Sequence, residues 1–145
     1  MKNLFILIAL VAAFLLGVTS TLAIQHYTKR IENKAVVKVV GVGIYKDANF
    51  TVSLTEIDWG VLEPGESKNF SAYIVNKSNV PITLSMTTSD WQPINASQFI
   101  TLSWNYHGEQ IPINGYVEVI FTLTVNAAVS GIQAFGFVIT IVRSG

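Results

Sequence analysis

The chain contains no cysteine and few charged residues. Of its 145 residues, 9 are Lys or Arg, 9 are Asp or Glu and 2 are His, and the formal net charge is zero. The absence of cysteine excludes disulfide bonds, thiolate metal ligands and a cysteine nucleophile. The balanced charge gives no electrostatic reason to expect nucleic acid as a partner. A domain built from this chain must therefore be held together by its apolar core.

Patterns that carry catalysis or bind metals are also missing. His26 and His107 have no second ligand at a metal-site spacing. No nucleophile-elbow serine and no glycine-rich phosphate loop is present. Four acidic residues lie around one predicted turn: Glu56, Asp58, Glu63 and Glu66. Calcium binding is one interpretation of this group, but without a loop signature solvated turn charges are favoured. We therefore expect no enzyme activity, no metal site and no cofactor.

The N-terminal region predicts export from the cytoplasm. Leu4–Ile24 contains no charged residue, and as a helix it would span about 31 Å, enough for a hydrocarbon core. Lys2 precedes it, and Thr21-Leu22-Ala23 is a usable signal-peptide cleavage site. The alternative is a retained anchor that holds residues 4–24 in the membrane. Residues 1–24 are thus a signal peptide or membrane anchor, 25–34 a polar linker and 35–145 the folded domain.

The remaining chain is typical of an all-β domain. Half of all residues are apolar, and from residue 35 onward they alternate with period two, as in strands. The predicted strands are 36–45, 51–57, 69–76, 82–87, 99–106, 116–125 and 132–142. Turn signals separate them about every ten residues, and no amphipathic helix interrupts them. This spacing predicts an immunoglobulin-like antiparallel β-sandwich of about seven strands, preceded by the N-terminal apolar helix.

Four Asn-x-Ser/Thr triplets are candidate glycan acceptors. Their asparagines are Asn49, Asn69, Asn76 and Asn95. All four are predicted at strand ends or in loops, where a bulky glycan could leave the surface. The alternative is that Asn, Ser and Thr are simply turn residues and form such triplets incidentally.

The first predicted strand is apolar on both faces, apart from Lys38. Its apolar residues are Val36, Val37, Val39, Val40, Val42 and Ile44. Such a strand should be buried on both sides or paired inside a sheet. Gly41 and Gly43 suit a close approach of another backbone. Because a polar linker precedes it, the strand could pair within its own domain or be donated to a neighbouring molecule.

Three tryptophans are candidates for the core or for a sugar-binding surface: Trp59, Trp91 and Trp104. Packing is the more common fate of such residues in a sandwich. Trp104 shares a predicted strand face with Ile100 and Leu102. We therefore expect Trp104 to be a core residue, whose replacement by alanine would cost about 3–5 kcal/mol.

Two segments carry a family resemblance: IDWGVLEPGESKNFSAYIVNKSNVPITLSMTTSDWQP and ITLSWNYHGEQIPINGYVEVIFTLTV. Their marks are Trp59-Gly60, Pro64-Gly65, Asn76 before Pro81, Trp91 with Pro93, and Trp104-Asn105. The region 35–142 resembles small archaeal surface proteins with one immunoglobulin-like sandwich, in the style of bundling-pilus subunits and the bacterial biofilm-fibre and camelysin group. The resemblance implies polymerisation in which an N-terminal strand completes the sheet of the next subunit. It implies no catalytic residues.

Two functions are consistent with the sequence. The first is an extracellular structural protein, a pilus, filament or cell-surface subunit that associates with itself or with a related subunit by β-strand addition. The second is an anchored or secreted single-domain module that binds a glycan or a protein. Both require the same apolar first strand, so the sequence leaves them open.

Export can be tested by N-terminal sequencing of the native protein. We expect the sequence to begin near Ile24 if the signal peptide is cleaved, and at Met1 in a membrane fraction if the anchor is retained. A full-length protein found soluble in the cytoplasm would contradict both forms.

Overall fold

The computed structural model describes residues 33–145. The predicted apolar helix and residues 25–32 of the predicted linker lie outside the described residues. The described chain forms eight strands: β1 Asn33–Val40, β2 Gly43–Tyr45, β3 Glu56–Gly60, β4 Ser67–Val75, β5 Thr83–Gln92, β6 Ile100–Trp104, β7 Tyr116–Val125 and β8 Gly136–Ser144. A 3₁₀ helix, Ile94–Gln98, connects β5 to β6. Residues 33–145 contain no α-helix.

The strands form two four-stranded sheets. Sheet 1 has the order β3-β1-β8-β5, and sheet 2 has the order β2-β4-β7-β6. Every neighbouring pair is antiparallel except β1 with β8, which is parallel. The prediction of an all-β domain is confirmed. The sheets differ from the prediction in having eight strands and one parallel pair.

Alternating side chains from both sheets form one core. The buried residues recur at every second position of β7 and β8: Val119, Phe121, Leu123 and Val125 in β7, and Phe137, Ile139 and Ile141 in β8. Ala72 and Ile74 of β4 follow the same pattern. Because strand side chains point alternately to opposite faces, each sheet has one apolar inner face and one outer face. The inner faces belong to a single hydrophobic cluster.

The predicted strand 36–45 is in fact two strands in different sheets. β1 ends at Val40 in sheet 1, and β2 begins at Gly43 in sheet 2, so the chain changes sheets at Gly41 and Val42. Gly41 has a φ of 77°, which glycine adopts readily and other residues rarely do. The prediction of one continuous strand is wrong, because an apolar pattern continues across the kink and does not reveal it.

Other boundaries move by a few residues. β5 continues through Asp90 to Gln92, a stretch predicted as a loop. The predicted strand 51–57 is reduced to a single bridge at Ser53 before β3 begins at Glu56. In both places pairing with a neighbouring strand decides the boundary, and that pairing is not visible in a local pattern.

A buried asparagine fixes the start of β1. Asn33 is 5% exposed. Its Nδ2 donates a hydrogen bond to the Gly60 carbonyl at 2.9 Å, and its Oδ1 accepts one from the Phe135 N–H at 3.1 Å. Gly60 ends β3 and Phe135 immediately precedes β8, so one side chain ties β1 to both of its neighbours. Asn33 was predicted to belong to the polar linker, and the strand begins two residues before the predicted domain boundary.

The connection between β6 and β7 covers the start of β5. Ile82 and Ile111 exchange two backbone hydrogen bonds, of 3.0 and 2.8 Å. The Tyr106 hydroxyl accepts a hydrogen bond from the Leu84 N–H at 3.1 Å and donates one to the Glu109 carbonyl. These bonds satisfy backbone groups that an edge strand would otherwise leave open.

The three tryptophans pack against the core. Trp59 is 3% exposed, and its Nε1 is buried without a hydrogen-bond partner among residues 33–145, which costs about 1–3 kcal/mol. Trp91 stacks on Phe137, with ring centroids 4.1 Å apart. Trp104 stacks on Phe121 at 6.2 Å. Trp104 lies on the inner face as expected but is only half-buried.

Half-burial lowers the expected cost of removing Trp104. We expect Trp104→Ala to reduce the free energy of unfolding by about 2 kcal/mol, because only part of the ring leaves water on folding. Phe121→Ala, at a fully buried position, should cost about 3–5 kcal/mol. Urea unfolding of both variants measures the difference. Equal losses would show that Trp104 is as deeply packed as Phe121.

Candidate functional site

Three tyrosines lie on the outer face of sheet 2, on three neighbouring strands. Tyr45 of β2 is opposite Tyr73 of β4, and Tyr116 of β7 is opposite Val75, two residues along β4 from Tyr73. Ile74 is fully buried, so Tyr73 beside it points to the outer face. The register of the sheet thus brings together residues that are far apart in the sequence.

Phe50 lies among these tyrosines. Its ring centroid is 5.7 Å from that of Tyr45, 6.4 Å from that of Tyr73 and 5.2 Å from that of Tyr116. The rings are tilted or edge-to-face, arrangements that aromatic pairs prefer. Tyr116 is 57% exposed, and the other three are half-buried. We call Tyr45, Phe50, Tyr73 and Tyr116 the aromatic cluster.

An acidic side chain holds the loop that presents Phe50. The Asp47 carboxylate accepts hydrogen bonds from the Thr51 hydroxyl at 2.6 Å, the Thr51 N–H at 3.0 Å and the Val52 N–H at 2.7 Å. The Thr51 hydroxyl, followed by the Val52 N–H, lowers the pKa of Asp47 below its ordinary value. A lowered pKa means that this anchoring is present at neutral pH and is lost as the pH falls through that pKa.

Phe50 itself has a strained backbone. Its φ is 57°, in the left-handed region, which costs a residue with a side chain roughly 1–2 kcal/mol. The Asp47 hydrogen bonds and the contacts of the ring with three tyrosines offset that cost. The loop therefore holds an apolar ring at the surface, although a glycine at this position would fold without strain.

Charged side chains of both signs flank the aromatic cluster. The Lys77 ammonium lies 5.0 Å from the centroid of the Tyr45 ring and donates a hydrogen bond to the Tyr45 hydroxyl. On the other side, Glu118 is directly opposite Tyr73. The charge of Glu118 raises the pKa of the Tyr73 hydroxyl above its ordinary value, and desolvation and a hydrogen bond to Glu118 add to the shift. Tyr73 is therefore a neutral hydroxyl at physiological pH.

Beyond the cluster, the outer face of sheet 2 is polar and uncharged. Apart from Ile120 in β7, its outward residues are Ser67, Asn69 and Ser71 in β4, Thr122 and Thr124 in β7, Thr101 and Ser103 in β6, and Asn105 directly after β6. We call these residues the polar strip. Their hydroxyl and amide groups bond across strands: Ser67 and Thr124 are 2.9 Å apart, and the Thr122 hydroxyl donates to Asn69 Oδ1 at 2.8 Å.

Three of the four candidate glycan acceptors are at the surface. Asn49 is exposed in the loop and immediately precedes Phe50, Asn69 is exposed within β4, and Asn95 is exposed in the 3₁₀ helix. Asn69 lies inside its strand and not at the strand end predicted for it. Glycosylation of these three asparagines stays a prediction.

Asn76 is buried, and its side-chain amide makes hydrogen bonds within the folded domain. It is 0% exposed. Its Nδ2 donates hydrogen bonds to the carbonyls of Val80 at 2.8 Å, Ile111 at 3.1 Å and Pro112 at 3.1 Å, and its Oδ1 accepts from the Ser78 N–H at 2.9 Å and from the Ser78 hydroxyl at 2.6 Å. A glycan would be attached to that same nitrogen. The folded domain leaves no room for one, so Asn76 does not fit the acceptor role predicted for it.

The strand-donation candidates differ in how deeply their side chains are buried. Val37 and Ile44 are buried, at 8% and 4% exposure, and Val39 and Val42 are half-buried. Val36 and Val40 lie on the outer face of sheet 1 and are 44% and 55% exposed. The expectation of burial on both faces is therefore wrong for the outer face. The alternative, pairing inside a sheet, is what β1 does, between β3 and β8.

The acidic residues near the predicted turn do not converge. Glu56 forms a 3.3 Å ion pair with Lys34. Asp58 accepts a hydrogen bond from the Gly60 N–H at 2.8 Å, and Glu66 accepts one from the Glu63 N–H at 2.7 Å. Within residues 33–145, no three His, Cys, Asp or Glu side chains are grouped as a metal site would require.

A small pocket lies at one end of the sandwich. Its volume is about 80 Å³, and Asn33, Leu62, Ile100 and Phe135 are among the residues that line it. Sites for small molecules usually measure roughly 300–1,000 Å³. The aromatic cluster and the polar strip are therefore the stronger candidate for recognition.

Comparison with known proteins does not assign the chain to a family. No protein-family model matches it, and no curated protein has a significantly similar sequence. In the described part of the chain, no helix is long and apolar enough to cross a membrane.

The apolar alternation predicts strands at Tyr45, Tyr73 and Tyr116 but does not predict that these residues form a cluster. The sequence feature that could have indicated the cluster is the presence of tyrosine at three outward positions, residues 45, 73 and 116, where polar residues are usual. Placing them together also requires knowing that β2, β4 and β7 are neighbours. The tryptophans, considered as a sugar-binding surface from the sequence, instead pack against the core.

The roles of Asn76 and Asn69 can be separated by mutation. Asn76→Ala leaves three carbonyl groups without their shared donor and should lower the free energy of unfolding by about 2–4 kcal/mol. Asn69→Ala, at an exposed position, should cost less than about 1 kcal/mol. Thermal or urea unfolding of both variants, made without glycans, measures the difference. A small loss for Asn76→Ala would contradict the structural role.

Proposed function

We propose that this protein is an extracellular structural subunit with an immunoglobulin-like sandwich, exported by its N-terminal apolar segment. In this proposal the subunits associate by exchanging strand β1, so that β1 of one molecule fills the sheet of the next. Such assembly would build a filament or another cell-surface structure. It needs neither a catalytic residue nor a cofactor.

The position of β1 in sheet 1 carries the proposal. β1 lies between β3 and β8, antiparallel to the first and parallel to the second, and contributes Ala35 and Val37 to the core. Without β1, the backbone groups of both neighbours and an apolar groove would be open. Open edges and exposed apolar surface favour pairing with another strand. A second molecule can supply that strand with the same residues and the same contacts.

A short hinge supports the exchange. Only Gly41 and Val42 separate β1 from β2, and β1 is the first strand of the described domain. Short connections favour domain swapping, because the strand on one side of the connection can extend away and dock on a second copy instead of turning back. Asn33 would then bridge β3 and β8 of the neighbouring molecule.

The alternative function is a single-domain binding module in which β1 stays in its own domain. The two functions differ in whether β1 contacts β8 of the same chain or of another chain. Lys38 and Thr140 are paired across β1 and β8, and the chain has no cysteine of its own. A disulfide between these two positions can therefore report which chain β1 joins.

We expect the full-length double variant Lys38→Cys/Thr140→Cys, oxidised after incubation at high concentration, to form dimers, trimers and longer covalent chains on a non-reducing gel. The matched control is Ser67→Cys/Thr124→Cys. Ser67 in β4 and Thr124 in β7 are neighbours, and their hydroxyl oxygens are 2.9 Å apart. The control should cross-link within one molecule and remain a monomer. A monomeric product from both variants would overturn the exchange of β1 and favour the binding module.

A further inference from the structure

We infer that the aromatic cluster and the adjoining polar strip form a binding site for an uncharged polysaccharide chain. This site is on the outer face of sheet 2, whereas the exchange of β1 takes place in sheet 1. The inference does not depend on the proposed assembly. A surface protein could both assemble and bind a polysaccharide.

The cluster provides the two kinds of contact that a sugar ring needs. A pyranose presents C–H groups, which pack on aromatic rings, and hydroxyl groups, which require hydrogen bonds. Tyrosine combines an apolar ring with a hydroxyl group. Tyr116 is 57% exposed, so much of its surface is available. Phe50 supports the tyrosines from within the cluster, with its centroid 5.2 Å from that of Tyr116.

The strained backbone of Phe50 is a second observation. Phe50 adopts a φ of 57°, and the Asp47 carboxylate holds the loop through hydrogen bonds to Thr51 and Val52. A strained residue persists where surrounding contacts fix it, and such residues concentrate at binding sites. The position of the Tyr45 ring also restricts residue 43 to glycine, because a Cβ there would lie 2.8 Å from the ring. The local backbone is therefore arranged around these rings.

The charges around the cluster match a neutral ligand. Lys77 at Tyr45 and Glu118 at Tyr73 have opposite signs, and the polar strip beyond them contains no charged residue. A polyanion would be repelled by Glu118 and Asp47, and a polycation by Lys77. An uncharged chain is repelled by neither sign of charge, so the mixed charges around the cluster favour a neutral ligand.

The polar strip extends the site along the strands. From Tyr73 to Ser67 it is about 20 Å long at the usual rise per residue, which favours a chain over a single sugar. Asn69 Oδ1 accepts from Thr122, and Asn105 Oδ1 accepts from the Ile120 N–H, so each amide group keeps its NH₂ as a donor. A few convergent polar groups beside an apolar surface are what fixes a ligand in place.

Titration of the full-length chain with neutral hexasaccharides tests the inference. The probes are cellohexaose, laminarihexaose, mannohexaose and chitohexaose, followed by calorimetry. The protein is produced without glycans, because Asn49 and Asn69 lie at this surface and an attached glycan would compete. We expect at least one probe to bind with a dissociation constant below about 1 mM. Tyr116→Ser and Tyr73→Ser should weaken that binding at least tenfold.

Two further variants make the test specific. Ile94→Ser removes another exposed apolar side chain, 84% exposed in the 3₁₀ helix, and should leave binding unchanged. Gly43→Ala keeps every aromatic residue but displaces the Tyr45 ring, and should weaken binding. Melting temperatures near that of the wild type would show that the variants are folded.

Several outcomes would overturn the inference. One is that none of the four probes binds. Another is that Tyr116→Ser binds as tightly as the wild type, or that Ile94→Ser weakens binding equally. A third is that sedimentation velocity shows Tyr116→Ser abolishing self-association without affecting saccharide binding, which would assign the cluster to contact between copies. The disulfide test of β1 is unaffected by any of these results, so the two proposals can fail separately.

Discussion

Sheet 1 depends on the pairing of β1 with β8, the first and last strands of the described domain. β1 contributes eight residues between β3 and β8, and its parallel pairing with β8 joins the two ends of the described domain. Asn33 secures that position, because its amide bonds to the chain on both sides. A strand that is interior in the sheet but comes first in the described domain is costly to lose and can be exchanged with another copy. Both properties follow from the same hydrogen bonds.

The aromatic residues divide according to the face of the strand on which they lie. Trp59 and Phe121 point inward and complete the core. Tyr45, Tyr73 and Tyr116 point outward on sheet 2 and contact one another through Phe50. Tyr116 is exposed and the other three rings are half-buried, and these rings are not needed to close the core, which is already fully buried at Phe121 and Ile74. This surplus of apolar surface, together with the strained loop, is why we assign the cluster to recognition.

The two proposals use opposite faces of the sandwich. Exchange of β1 would occur in sheet 1, and the saccharide would lie on the outer face of sheet 2. Assembly through β1 would therefore leave the aromatic cluster open and repeat it along a filament. Repetition matters physically, because many weak sites on one assembly bind a long polymer far more tightly than one site does.

The sequence by itself determined the inward residues of strands in which apolar and polar residues alternate. Alternation is a local property, so the predicted strand 116–125 matches β7, Tyr116–Val125, in which Val119, Phe121, Leu123 and Val125 are buried. The tertiary structure decided the rest. An unbroken apolar run did not reveal the change of sheet at Gly41 and Val42, because the run continues on both sides. An Asn-x-Ser triplet specifies chemistry but not accessibility, and only the approach of Ile111 and Pro112 buries the amide of Asn76. The aromatic cluster depends on strand order and register, which are set by contacts between residues distant in the chain and cannot be derived from local periodicity.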